Sequence, residues 1–312
     1  MKTEITKRLY NEITRIASRA AASVGVCAIH LESEERILFN ADRSFPLAST
    51  YKIPIAMRLL MLAEQGQCSL EQMIEITTED LSPGSGAIKD LFAIPGVQLS
   101  VQNLLGLAIR FSDNTASDIV LRLAGGGHEV TKMLSERGIN EIRVDRPARQ
   151  IICDFYGFGD LSSEQSWSLL RFRTRLKEST PEQRTAGIEA FRNDPRDRGT
   201  PAALASVVAR LQKGEFLSPK YSDLLLNLMR RCRTGPGRLK GQLPAGTIVA
   251  HKTGSLEGLV ANDAGIIELP DNRGRVAIAA LAESIETPTS DLELTIARIA
   301  RSIYDAVLFA TD

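Results

Sequence analysis

Net charge is the first thing this sequence lacks. Its 312 residues carry 38 Lys and Arg against 38 Asp and Glu, a formal charge of zero. A surface without a basic excess has little with which to displace the counterions of a nucleic acid, so no nucleic-acid partner is expected. No apolar run approaches the roughly 20 residues that a bilayer-spanning helix needs, so no membrane partner is expected either. The start of the chain has no leader-like apolar core. Met1 to Ala22 is rich in charge, and Ile5, Leu9, Ile13 and Ile16 fall at the spacing of an amphipathic helix. The chain as given reads as cytoplasmic, or as periplasmic or secreted if a leader has been removed. Cysteine is sparse. Cys27, Cys68, Cys153 and Cys232 show no CxxC or zinc-like spacing, and each reads as a small buried hydrophobe. No metal and no cofactor is expected. The histidines are His30, His128 and His251. None sits in a triad-like setting, and His251 reads as a strand neighbour of Lys252.

What is present is the balance of a soluble globular protein, 43% hydrophobic and 24% charged. The length suits one large domain or two medium ones. Val24 to Leu31 and Arg36 to Phe39 read as a strand hairpin across Ser33-Glu34-Glu35. Ile53 to Leu62 is apolar nearly all round, as in a helix buried on every side. Val101 to Phe111 reads as a helix capped by Ser100. Thr200-Pro201 and Ser218-Pro219 each place a capping hydroxyl before a first-turn proline. Strands return at Thr247 to Ala250, Ala264 to Leu269 and Val276 to Leu281. Ser290 and Glu293 then read as a capping box for a last helix.

The economical architecture is α/β (α+β): an antiparallel sheet built from both chain ends and flanked by helices, with an inserted all-helical domain. The boundaries expected are 1–46 and 229–312 for the sheet domain and 47–228 for the insert. Within the insert, 150–195 is atypical. It is polar, holds the only tryptophan, Trp167, and runs through Arg171, Arg173, Arg175 and Lys177, which read as a solvated helix face.

Three short motifs carry chemistry. Ser49-Thr50-Tyr51-Lys52 puts a hydroxyl and an amine at i and i+3 of a helix start, where a lysine of lowered pKa can take the serine proton. Ser112-Asp113-Asn114 follows an apolar helix, and Lys252-Thr253-Gly254 follows the first of the late strands. Singly, the second reads as a turn or cap and the third as a strand end with a glycine turn. Together and in this order they form the signature of class A β-lactamases and penicillin-binding proteins. The chain resembles that superfamily in Phe45–Pro54, Ser82–Gly86, Ser112–Thr115, Arg238–Gly254 and Asn262–Gly265.

The resemblance implies a β-lactamase-like fold and an acyl-enzyme formed on Ser49. Lys52 would be its proton partner, and Ser112 would relay a proton to the leaving nitrogen. Asn114 would bind the substrate's side-chain amide. Lys252 and Thr253, with Gly254, would hold a carboxylate-bearing small-molecule substrate. The N–H groups of Ser49 and Ser255 would form the oxyanion hole. Arg238 stands where some members place an arginine that supports the carboxylate site.

One departure matters. The family's deacylating glutamate follows an Asp-Arg pair, here Asp145-Arg146, and the glutamate position reads Ala148. Asp154, Asp160 and Glu164 are candidate substitutes. Hydrolysis of β-lactams or related amides and esters with slow release is therefore the expected activity. The alternatives are a cytoplasmic esterase, amidase or peptidase of the same fold, and a penicillin-binding sensor that does not turn over.

Overall fold

In the computed structural model, which describes residues 2–92, 94, 96–162 and 167–310, the strands expected from the two ends of the chain join one antiparallel sheet. Its order is Arg36–Phe39, Ser23–His30, Arg275–Glu283, Val260–Glu268, Val249–Leu256. The two central late strands are buried along almost their whole length. A strand with no solvent face needs cover on both sides, and helices supply it. Val24, Val26, Ile278 and Ala280 share a core with Leu9, Ile13 and Ile16 of the first helix and Ile296, Ile299 and Ile303 of the last. Successive strand residues face opposite ways. Gly25 accordingly looks to the other face, where an added Cβ would lie 2.5 Å from Phe45 and 2.8 Å from Pro201.

The chain divides into two compact units. One comprises Met1–Tyr51, Gly138–Ile142 and Arg198–Asp312; the other comprises Lys52–Arg137 and Arg143–Asp197. The return to the sheet unit thus comes at Arg198, not at residue 229. The reason is packing: the helices Pro201–Gln212 and Pro219–Arg230 lie against the sheet strands. Nor is the second unit all-helical, for Met73–Ile76 and Val97–Ser100 pair as an antiparallel ribbon. The Ser290–Glu293 capping box does not form. The last helix already begins at Thr289, and Glu293 binds Arg238 instead. Ser100 and Thr200 do cap their helices, accepting from the N–H groups of Asn103 and Ala203. The side chain of Ile5 and the residue Glu164 lie outside the described residues. No described helix is long and apolar enough to cross a membrane.

The atypical stretch folds as helices Ala148–Phe155, Leu169–Glu178 and Pro181–Arg192, with a short turn at Gly159–Ser162. Cys153, Phe158, Leu161, Trp167 and Phe172 give it a core of its own. Trp167 Nε1 donates to the Leu81 carbonyl at 3.0 Å, and Arg149 lies over the indole ring. Its two ends are held by Arg146, buried to 2% exposure, whose guanidinium binds Asp197 and Asp154 at 2.6 Å and Asp194 at 2.9 Å. Removing that cation strands buried carboxylates. Arg146→Ala is therefore expected to cost about 3–5 kcal/mol in denaturant unfolding. A loss below 1 kcal/mol would show that the network is not what holds the segment.

Candidate active site

The helical unit assembles one group of candidate residues. Lys52 is the first residue of the helix Lys52–Glu64 and is buried to 1% exposure. Its Nζ donates to Ser112 O at 2.8 Å, Ser112 Oγ at 3.3 Å and Asn114 Oδ1 at 2.7 Å. Asn114 is fixed from its other side, with Nδ2 donating to Pro83 O at 2.7 Å and its backbone N–H donating to Ser85 O at 2.9 Å. Asp113 caps the following helix through the N–H of Ala116 and also receives the N–H groups of Ala87 and Ile88. Ser112 takes φ of 57°, a left-handed backbone that costs a non-glycine residue about 1–3 kcal/mol. The Ser-Asp-Asn segment thus serves both as a turn and cap and as a polar cradle for an ammonium.

The sequence reading missed Asp118, one turn further along that helix. Its carboxylate accepts from Ser82 Oγ at 2.6 Å and from the N–H groups of Ala148 and Arg149 at 2.5 and 3.0 Å. Burial pushes its pKa up against these bonds and against the positive charge of Lys52. Asp118 therefore caps the helix Ala148–Phe155 from outside, as a negative charge at a helix N-terminus. That cap sets which way the helix faces. A Cβ built on Gly84 would lie 2.7 Å from Ile152 Cδ1 and 2.8 Å from Asn114 Nδ2, so the apolar Ile152 adjoins the Asn114 amide. Ala148, one helical turn earlier, is buried with only a methyl group to offer. Asp154, a candidate substitute base, is instead an ion partner of Arg146 and Arg196. Asp160 is exposed.

The sheet unit assembles the other group. Ser49 is half-buried in the 3₁₀ turn Ala48–Tyr51, which runs directly into the helix that begins with Lys52. Ala48, just before it, has φ of 46°. Asn262, also overlooked as a working residue, clamps this approach. Its Nδ2 donates to Pro46 O at 2.8 Å and Leu47 O at 3.1 Å, while its Oδ1 accepts from Ala282 N–H at 3.1 Å.

The Lys-Thr-Gly motif lies inside an edge strand, not after its end, because Val249–Leu256 pairs on one side only, with Val260–Glu268. Gly254 has to be glycine. A Cβ there would sit 2.6 Å from Leu47 O and 3.0 Å from Ser49 N. The strand and the turn that carries Ser49 are therefore in backbone contact. Lys252 is fully buried, its Nζ donates to Thr253 O at 2.7 Å, and burial pushes its pKa down to about 8.

Arg238 departs from expectation. Its Nε donates to Glu293 at 3.0 Å, Nη1 to Gly254 O at 2.9 Å and Asn262 O at 2.8 Å, and Nη2 to Ser255 Oγ at 2.6 Å. Glu293 also lies 3.0 Å from Nη2. Four of the five guanidinium hydrogens are thereby hydrogen-bonded. Arg238 holds the strand and the Ser255 side chain in place.

Comparison with known proteins agrees with this geometry. The family model described as the β-lactamase enzyme family matches residues 8–307. The β-lactamase VEB-1 of Pseudomonas aeruginosa is 31% identical over 288 residues, covering 90% of this chain and 85% of its own. The extended-spectrum β-lactamase PER-1 of the same organism is 28% identical over 303 residues, covering 95% and 86%. A β-lactamase crystal structure from Chitinophaga pinensis superposes with a TM-score of 0.77 at 29% identity, covering 96% of this chain and 99% of the other. The Lys52 cradle, the glycine strand against the Ser49 turn and these likenesses lead to one assignment: the chain belongs to the β-lactamase enzyme family, as a class A-like serine hydrolase that acts on cyclic amides.

Proposed function

We propose that the protein takes β-lactam acyl groups onto Ser49 and releases them slowly. The observation that carries this reading is the pairing of a complete cradle for Lys52 with an apolar face where a water-activating base would stand. Lys52, as the neutral amine, accepts the Ser49 proton; the ammonium so formed gives a proton to Ser112 Oγ as the Ser112 hydroxyl gives its own to the departing nitrogen, which leaves Lys52 neutral again. The Ser49 and Ser255 N–H groups stabilise the tetrahedral oxyanion. Asn114 offers its amide to the acyl side chain. Ala148 and Ile152 neither orient nor deprotonate water, so the ester persists. The apolar pair also favours a penicillin-binding receptor over an esterase or peptidase as the second reading, since an ester substrate meets the same obstacle at release.

The substrate carboxylate falls to Lys252. Lys252 is the cation that the Lys-Thr-Gly strand itself carries, and a carboxylate brought to its ammonium would be held through one of the stronger classes of hydrogen bond. Lys252→Ala is expected to slow acylation by a penicillin at least about tenfold more than acylation by its methyl ester, the worth of one bond to a charged group. Acylation rates read by intact mass decide the point. An equal loss on both compounds would make Lys252 a structural lysine, and the absence of any adduct on the unaltered protein, with no turnover, would overturn the function itself.

A further inference from the structure

The turn that delivers Ser49 is strained, and a buried amide outside the three motifs grips it. Ala48 takes φ of 46°, a left-handed backbone that alanine rarely adopts. Such a conformation persists only where its surroundings over-determine it. Here they act on the two carbonyls just before it. The wholly buried Asn262 donates through Nδ2 to Pro46 O at 2.8 Å and to Leu47 O at 3.1 Å. Leu47 O also accepts from the Thr50 hydroxyl at 2.7 Å and from the Thr50 N–H at 3.2 Å. Three donors on one oxygen fix the plane of the peptide that enters Ala48.

The amide is aimed from its other end. Asn262 Oδ1 accepts the Ala282 N–H at 3.1 Å, so the NH2 group faces the turn, and a flipped amide would set oxygen against both carbonyls. Its reach depends on Gly254. Gly254 and Asn262 are direct partners across the strands Val249–Leu256 and Val260–Glu268, and residues so paired share a face of the sheet. A Cβ on Gly254 would stand 2.6 Å from Leu47 O, in the space the turn occupies. Without a side chain there, the turn comes down far enough for the asparagine of the next strand to hold its carbonyls. Arg238 Nη1 ties the same two residues together by donating to Gly254 O and Asn262 O.

The consequence falls on Ser49. The torsions of Ala48 alone join the peptide that Asn262 fixes to the peptide that carries the Ser49 N–H. Relaxation of Ala48 to negative φ would swing that N–H away from the glycine strand. We propose that Asn262 is a positioning residue for acyl transfer: it holds Ala48 in the left-handed conformation and so aims the Ser49 N–H and hydroxyl at the substrate carbonyl. The inference rests on acyl transfer at Ser49. It differs from a packing role in one respect. Glycine at position 48, which adopts the left-handed backbone without steric cost, lessens the need for Asn262.

The experiment is a double-mutant cycle of Asn262→Ala and Ala48→Gly, with the acylation rate constant at saturating penicillin read by intact mass. Asn262→Ala is expected to lower that constant about 10²-fold in the parent, the cost of a small misplacement of reacting groups, and only about tenfold where residue 48 is glycine. Asn262→Leu, which fills the space but offers no donor, is expected to behave as the alanine variant does. Equal losses in the two backgrounds, or rates close to the parent in the first, overturn the proposal. Unfolding midpoints in denaturant give a test that needs neither acylation nor a change at Asn262. Ala48→Gly is expected to raise the midpoint by relieving the strain, and a lowered midpoint overturns the proposal as well. A parent protein that never acylates would defeat the Ser49 reading instead, with the midpoints still deciding whether the turn is strained.

Discussion

Ser49→Ala is expected to abolish covalent labelling by penicillins, boronates and fluorophosphonates while the circular dichroism spectrum stays that of the parent. The side chain is half-buried at the head of a turn whose backbone is held from elsewhere, by Asn262 on Pro46 and Leu47 and by the Thr50 hydroxyl on Leu47 O. Losing one oxygen leaves those bonds in place. What disappears is the only atom in the Ser49-to-Lys52 turn that meets three requirements of acyl transfer: it precedes the buried amine by three residues, its own N–H touches the glycine strand, and it is open to solvent. The labelling rate is expected to fall to background. Labelling of the variant at the parent's rate would move the nucleophile elsewhere and undo the roles given to Lys52 and Ser112.

The second large effect runs the other way. In the double variant Ala148→Glu/Ile152→Asn, the lifetime of the penicillin adduct is expected to shorten by about 10²–10⁴-fold, the usual contribution of a positioned base. The two positions are one helical turn apart on a helix whose start is pinned by Asp118 and whose Ile152 side chain adjoins Asn114. A carboxylate at the first and an amide at the second give a water the acceptor and donor that the apolar pair denies it. The single variant Ala148→Glu is expected to do less, because Ile152 still excludes the water. An adduct that lasts equally long in the double variant would mean that this helix does not face the ester.

Much of this was legible in the sequence, for identifiable reasons. Buried helices and strands announce themselves by period, so Lys52–Glu64 and Arg275–Glu283 emerge close to their true extents, while Val249–Leu256 and Val260–Glu268 emerge only in part. The three motifs emerge because each needs particular residue types at fixed spacing. What stayed hidden depends on pairing across long separations. Arg238 reads as a free cation until Glu293, Gly254, Asn262 and Ser255 are seen to take its hydrogens. Glu293 reads as half of a capping box until it is seen to be that arginine's partner. Asp118 reads as an ordinary helical carboxylate, with nothing nearby in sequence to suggest Ala148 and Arg149 as its donors. His251 belongs to no motif, yet pairing of the two late strands sets Asp263 beside it. The boundary at 198 was hidden for the same reason. A helix rich in alanine and valine does not declare which of two units it will cover.

The most direct test is a time course of intact mass after mixing the parent protein with a penicillin in modest excess. The account predicts rapid gain of one acyl mass on a single peptide containing Ser49, a burst of ring opening of matching amplitude, and then slow turnover with most of the protein still acylated. Rapid steady hydrolysis without a detectable adduct would contradict it, and would mean that a base other than residue 148 frees the ester.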